Sequence, residues 1–413
     1  MNIEIINTGA ELLVGRVLNT HQQWLCRQLS DLGYEVSRQC CVPDSGAQIQ
    51  AALGESLARA DLVIATGGLG PTSDDLTRDC AARLLGRPLV LHPHTLAWIE
   101  QYFASRKRRM PASARVQAMV PEGATVLPNP NGTAPGLALR AGGEGKWLIL
   151  LPGPPRELRP MFSASVVPFL LREFPLRIQF VCRTLKTTGE GESVVEEKIA
   201  GPLQPLISGG LEIAYCARVG EVDVRLAARG PAAGALVAEG EQLVRGLLGP
   251  LIFGTDDDSL ELAVIRLLTE RQETLAVAES CTGGFLAHRL TNVPGASAVF
   301  LGGVVTYSNQ AKQDLLGVPA QTLQEQGAVS QPVASEMAQG ARRLFRAGWA
   351  LAVTGVAGPG GGTAEKPVGT AFVALAGKEG TSVQVQYNPT DRETFKFVIS
   401  QRALDLLRHS LGA

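Results

Sequence analysis

Ser280 lies in AESCTGG, residues 278 to 284, between an apolar run and a helix-like stretch. At a strand-to-helix junction backed by glycines, the surrounding backbone N–H groups can hold an anion or an oxyanion. The hydroxyl needs a base, and neither a G-x-S-x-G elbow nor a local S-x-x-K is present. His288 is one candidate. Lys312 is another, because a desolvated amine can lose its proton near neutrality. It begins a helix after the strand end VVTYS, which can bring it back over Ser280, and Tyr307 can relay the proton or orient the amine. A surface lysine beside a core-edge tyrosine is the bland alternative. Cys281 is a competing nucleophile, but the side chain next to Ser280 should point away from it, as a buried thiol would. Thr354 and the backbone of GPGGG, with Gly358, Gly360 and Gly361, are candidates for amide-carbonyl or phosphate contacts. Arg392, near a helix start, can grip a phosphate bidentately.

A second cluster, TGGLGPTSDDLT at 66 to 77, has the same strand, glycine turn, helix logic. Thr66, Gly67, Gly68, Gly70 and Thr72 can wrap a phosphate there. Asp74 and Asp75 are expected to start the next helix, as N-terminal caps or, with phosphate present, as ligands of a divalent cation. Two such clusters so far apart in the chain point to two active sites.

The elements that must position them read as alternating α/β. DLVIATGG at 61 to 68 is a short apolar run ended by glycines, which suits a parallel strand buried on both faces. Its carboxyl end is where a ligand should sit. KWLILLPGPPRE at 146 to 157 repeats the device, with PPRE opening a helix. Residues 171–253 change texture to alternating apolar and charged positions, as in RIQFVCRTLKTTG and VGEVDVRLAARG, and suggest a small α+β unit. From 254 a capped helix opens a third domain, with strands near 274–279, 299–306, 349–354, 368–376 and 381–387 and a closing helix from about 391 to 408. The expected domains are thus 1–170, 171–253 and 254–413.

A chain of 413 residues exceeds the size at which one core usually stops growing, and 45% hydrophobic residues can fill several. The 38 basic and 39 acidic residues leave a formal charge of −1, so no global field attracts nucleic acid. The run RKRR at 106 to 109 lacks interleaved aromatics and reads as a solvated loop. Seven cysteines without a CxxC pair argue against structural zinc and a disulfide scaffold. MNIEIINTG reads as a core strand rather than a leader, and no run of eighteen apolar residues follows. Cytoplasmic residence without a membrane partner is the expectation.

ESCTGG, VPGAS at 293 to 297, GGVVTYSNQAK at 302 to 312, GAVS at 327 to 330 and TGVAGPGGGT at 354 to 363 resemble the C-terminal domain of the CinA family, the competence/damage-inducible proteins. That resemblance implies a cofactor-free nicotinamide-nucleotide amidase, which converts nicotinamide mononucleotide to nicotinate mononucleotide and ammonia. Ser280 would be the nucleophile, Lys312 its base and Tyr307 a support. Thr354 would lie near the carboxamide, and Arg392 would position phosphate or substrate; Thr390 departs from the glycine that often precedes DR in the family.

The N-terminal half resembles the family's molybdopterin-binding-like α/β domain through TGAELLVGRVLNT at 8 to 20, the 66 to 77 motif and LPGPPRE at 151 to 157. This implies metal-dependent hydrolysis of ADP-ribose to AMP and ribose 5-phosphate. Asp75 is the preferred metal or catalytic residue, with Asp74, Glu11 and Glu157 secondary. His21 departs from the family's usual Asn, and GGLGPT argues against ordinary molybdopterin adenylylation. A homodimer is the expected assembly. Two other readings stay open: a pyrophosphatase only, or a non-catalytic nucleotide-sensing or scaffold protein of competence and DNA-damage response.

Overall fold

The computed structural model describes residues 1–142 and 145–412, which fall into two compact units, Met1–Phe180 and Val181–Ala413. Among the described residues of the first unit the strands are β1 (Ile3–Thr8), β2 (Val36–Val42), β3 (Leu62–Thr66), β4 (Leu89–Leu91), β5 (Met119–Pro121), β6 (Thr125–Leu127), β7 (Gly136–Arg140) and β8 (Trp147–Leu151). Six of them make one sheet in the order β2-β1-β3-β8-β7-β6, in which β2, β1, β3 and β8 run parallel. Every residue of β1, β3 and β8 is buried, as a parallel sheet covered on both faces requires. Leu25 and Leu29 pack on one face and Ile49 and Leu53 on the other. Each such side chain stabilises the fold by roughly 1.5–3 kcal/mol relative to exposure.

Asn19 caps the helix Thr20–Asp31 by accepting from Gln22 N. The helix Thr77–Leu84 differs from expectation, because Leu76 occupies its N-cap position and no side chain caps it. Asp74 and Asp75 are therefore not helix caps. Asp75 closes a turn instead, accepting from Thr72 N at 2.9 Å and from the Thr72 hydroxyl.

The second unit holds β9 (Phe180–Thr188), whose first residue belongs to the preceding unit, then β10 (Leu211–Arg218), β11 (Glu221–Arg229) and β12 (Ile252–Thr255). These four make a sheet in the order β10-β11-β9-β12. It carries the helices Glu192–Ser208 and Ala233–Leu248, as an α+β middle domain should. The helix Leu260–Arg271 follows, capped by Ser259. β13 (Leu275–Glu279), β14 (Phe300–Val305), β15 (Trp349–Gly355), β16 (Thr370–Gly377) and β17 (Gly380–Tyr387) then form a sheet in the order β14-β13-β15-β16-β17. β13 is parallel to both β14 and β15, so three carboxyl ends are adjacent. The architecture is mixed α/β with distinct N-terminal, middle and C-terminal domains. Among the described residues no helix is long and apolar enough to cross a membrane.

Candidate active sites

Ser280 is the first residue beyond β13, and its N–H donates to Val353 O at 2.9 Å on the neighbouring β15. On the other side Thr306 N donates to Glu279 O at 2.8 Å. The serine is thus fixed between two strand ends, where an open α/β sheet offers a crevice. Gly283 and Gly284 follow with φ of 62° and 94°, conformations that a side chain would strain. Glu279 is 1% exposed, and its carboxylate accepts from the N–H groups of Gly284, Leu286 and Ala287 at 2.8–3.0 Å. It satisfies the first amides of the helix Phe285–Thr291 and holds the Ser280 turn against it. The sequence reading missed Glu279, because a single acid at a strand end looks like ordinary surface charge.

Those three amides are taken up, whereas the N–H groups of Cys281 and Thr282 donate to no other residue among those described, the first meeting only its own thiol. They are available to a developing oxyanion. The Thr282 and Thr306 hydroxyls are also buried without a partner among the described residues.

Lys312 lies on the helix Asn309–Leu316, capped by Ser308 and ended at Gly317 in the left-handed region. It is 1% exposed. Its Nζ donates to Thr306 O at 2.7 Å and lies 3.1 Å from Ser280 Oγ. Burial pushes the ammonium below the ordinary lysine range. A neutral amine keeps its donation to Thr306 O and can present its lone pair to the Ser280 hydroxyl. Thr306 was also missed by sequence, since its contribution is a backbone carbonyl.

Cys281 is buried, and desolvation pushes its thiol up to about 12, so it stays protonated at neutral pH. His288 stacks on Phe285 of its own helix, and its Nε2 meets the side-chain amide of the C-cap Asn292 at 3.1 Å. Tyr307 is exposed, and its hydroxyl accepts from Arg392 Nη2 at 2.7 Å; no hydrogen bond joins it to Lys312. Arg392 Nη1 donates to Gly358 O at 2.8 Å, tying the start of the helix Arg392–Ser410 to the glycine loop. Gly358 needs its glycine, with φ of 74° and Val368 only 2.5 Å from where a Cβ would stand. Gly360 and Gly361 lie on the same loop. Thr354, the last residue but one of β15, donates its hydroxyl to Ala328 O at 2.8 Å, so it anchors the GAVS segment beside the serine.

In the first unit, Thr8, Gly67, Gly68, Gly70, Asp74, Asp75, Glu11, Asp44, Pro152, Gly153 and Glu157 line one cavity of about 410 Å³ beyond the ends of β1, β3 and β8. A Cβ on Gly68 would stand 2.2 Å from Thr77 Oγ1, so the loop's course depends on that glycine. Thr66 is buried and accepts from Asn7 Nδ2 at 2.7 Å, which makes it a strand-end support. His21 contacts Gly153 O through Nε2 and so braces the LPGP turn. Burial keeps its imidazole below the usual histidine range.

The carboxylates share this cavity, but Asp75 is engaged by Thr72 and Glu157 accepts from Asn129 Nδ2 at 2.8 Å. Among the described residues no three His, Cys, Asp or Glu side chains gather closely enough to hold a metal ion. The described residues as placed are not a ready set of cation ligands.

Comparison with known proteins covers the whole chain. The CinA C-terminal domain profile matches residues 257–411, the profile "Probable molybdopterin binding domain" 4–172, and the damage-inducible protein CinA KH domain 182–254. A Symbiobacterium thermophilum protein named for competence-damage induction is 48% identical, covering 100% of this chain and 99% of its own. A CinA-like protein of Akkermansia muciniphila is 46% identical over 98% of this chain and 96% of its own. A solved structure, the competence/damage inducible protein CihA from Agrobacterium tumefaciens, shares 42% identity over 37% of this chain and 94% of its own, with a TM-score of 0.36.

Proposed function

The chain belongs to the CinA family, and we propose that its C-terminal domain is a serine-lysine amidase acting on nicotinamide mononucleotide. The observation that carries this reading is the buried Lys312 amine 3.1 Å from Ser280 Oγ. Neutral Lys312 takes the hydroxyl proton as Ser280 Oγ bonds to the carboxamide carbon. The oxyanion forms beside the Cys281 and Thr282 amides. Lys312 returns the proton to the leaving nitrogen, ammonia departs, and a serine ester remains. Water, deprotonated by the same amine, hydrolyses the ester to nicotinate mononucleotide. A non-catalytic scaffold gives no reason to bury an amine beside a hydroxyl at the cost of its hydration.

For the N-terminal domain we propose hydrolysis of ADP-ribose to AMP and ribose 5-phosphate. Support comes from the cavity at the strand ends, where the glycine loop at 67 to 70 meets Asp74 and Asp75. Cytoplasmic residence and a homodimer complete the reading. Ammonia and AMP release, measured from the two substrates on one preparation, tests both assignments. Absence of ammonia release by folded protein removes the first, and absence of AMP removes the second.

A further inference from the structure

We propose that a cavity of about 800 Å³ beside the Ser280 turn receives the phosphate end of the nucleotide, with Lys396 holding the charge and the β10–β11 turn of the middle domain forming the outer wall. The inference rests on the amidase reading and deepens it.

The cavity is lined by Phe285 and Phe397, whose ring centres are 6.2 Å apart, and by Arg392, Lys396, Arg218 and Val219. Lys396 Nζ stands 5.9 Å from the centre of the Phe285 ring. It is also 3.9 Å from where a Cβ on Gly283 would lie, three residues beyond the nucleophile. The carboxamide and the phosphate occupy opposite ends of the substrate, with ribose between. With the carboxamide at Ser280, the phosphate must land on the rim rather than beside the serine.

Most charged groups around the cavity already have partners. Arg392 is committed to Gly358 and Tyr307, and Arg218 pairs with Asp223. Asp391 accepts from Glu393 N and Thr394 N, and Glu221 accepts from Gln401 Nε2 at 2.9 Å. Glu393 is exposed. Lys396, half-buried over an aromatic ring, takes part in no hydrogen bond or ion pair among the described residues. A cation so placed is ready for an incoming anion.

The outer wall is fixed rather than loose. Thr188 Oγ1 donates to Gly220 O at 2.8 Å, and Gln401, which holds Glu221, itself accepts from Arg289 Nη2 at 2.6 Å. The turn between β10 and β11 is therefore braced on the helix that carries Lys396. A C-terminal domain alone would lack this wall.

The test uses the full chain as wild type, Lys396→Gln and Lys396→Arg. Ammonia release is followed from nicotinamide mononucleotide and from nicotinamide riboside, which has the same carboxamide and no phosphate. Binding of nicotinate mononucleotide is followed by calorimetry. Lys396→Gln should lower the mononucleotide-to-riboside ratio of kcat/KM by roughly ten- to a hundredfold, the range of one charged hydrogen bond, chiefly through KM. It should weaken nicotinate mononucleotide binding in parallel, and Lys396→Arg should restore most of both. An unchanged ratio with unchanged binding overturns the proposal. If wild type releases no ammonia from either substrate, the amidase reading fails; loss of nicotinate mononucleotide binding in Lys396→Gln still supports a phosphate subsite, and its retention overturns it.

Discussion

Thr306 O holds the Lys312 ammonium by a 2.7 Å hydrogen bond, and the same Nζ stands 3.1 Å from Ser280 Oγ. The carbonyl orients the amine, while burial weakens its hold on a proton. Activity should therefore rise with pH as Lys312 loses its proton. In a kcat/KM profile for nicotinamide mononucleotide, the ascending limb should have its midpoint below the ordinary lysine value of 10.5. Lys312→Arg keeps charge but supplies no readily neutral base, and turnover should drop by roughly 10²–10⁴-fold. A flat profile, or near-normal turnover in Lys312→Arg, returns the lysine to a structural role.

The same burial has a stability signature. A lysine whose folded pKa is lowered binds fewer protons when folded than when unfolded, so its cost is greatest at pH below the folded pKa. That cost is relieved as pH rises through the folded pKa toward the unfolded one. Lys312→Met fills similar volume without the charge and should be as stable as wild type or more so, with its advantage shrinking as pH increases. Urea unfolding at several pH values checks this, and an advantage that grows with pH contradicts it.

Glu279→Ala should lower stability by about 1–3 kcal/mol, since three amides lose a buried charged acceptor. Because those amides open the helix Phe285–Thr291, against which the Ser280 turn is held, ammonia release should fall with it. Thermal unfolding and the amidase assay together report both effects. An unchanged Tm would show that the carboxylate does not hold the turn.

In the first unit, Asp75→Asn should reduce AMP formation from ADP-ribose while sparing ammonia release. It removes the carboxylate that joins Thr72 and faces the glycine loop. The same assays with chelator should leave ammonia release intact, because the Ser280–Lys312 pair generates its nucleophile by proton transfer alone. Loss of AMP on chelation would bear out the divalent-cation requirement that the family resemblance implies. Full AMP formation in Asp75→Asn removes Asp75 from the chemistry.

Strand ends carried most of what the sequence could disclose. Buried runs broken by glycine place Ser280 and the loop at 67 to 70, because a parallel strand covered on both faces must be apolar and must end in a turn. Lys312 was accessible through the helix that follows VVTYS. Besides the roles of Glu279 and of the Thr306 carbonyl, three features were not legible. Asp74 and Asp75 look like caps, yet Leu76 takes the N-cap position and Asp75 turns back to Thr72. Tyr307 pairs with Arg392 across 85 positions, a separation that local pattern cannot encode. The β10–β11 turn reaches the cavity beside Lys396 only through tertiary packing.

The measurement that bears most directly on the central claim is ammonia release from nicotinamide mononucleotide by Ser280→Ala, with AMP release from ADP-ribose as the control for folded protein. Removing the hydroxyl removes the ester route while leaving the Lys312–Thr306 hydrogen bond and the first unit in place. Ammonia release should fall to background and AMP release should persist at its original rate. Ammonia release at the wild-type rate from folded Ser280→Ala would contradict the serine-lysine mechanism.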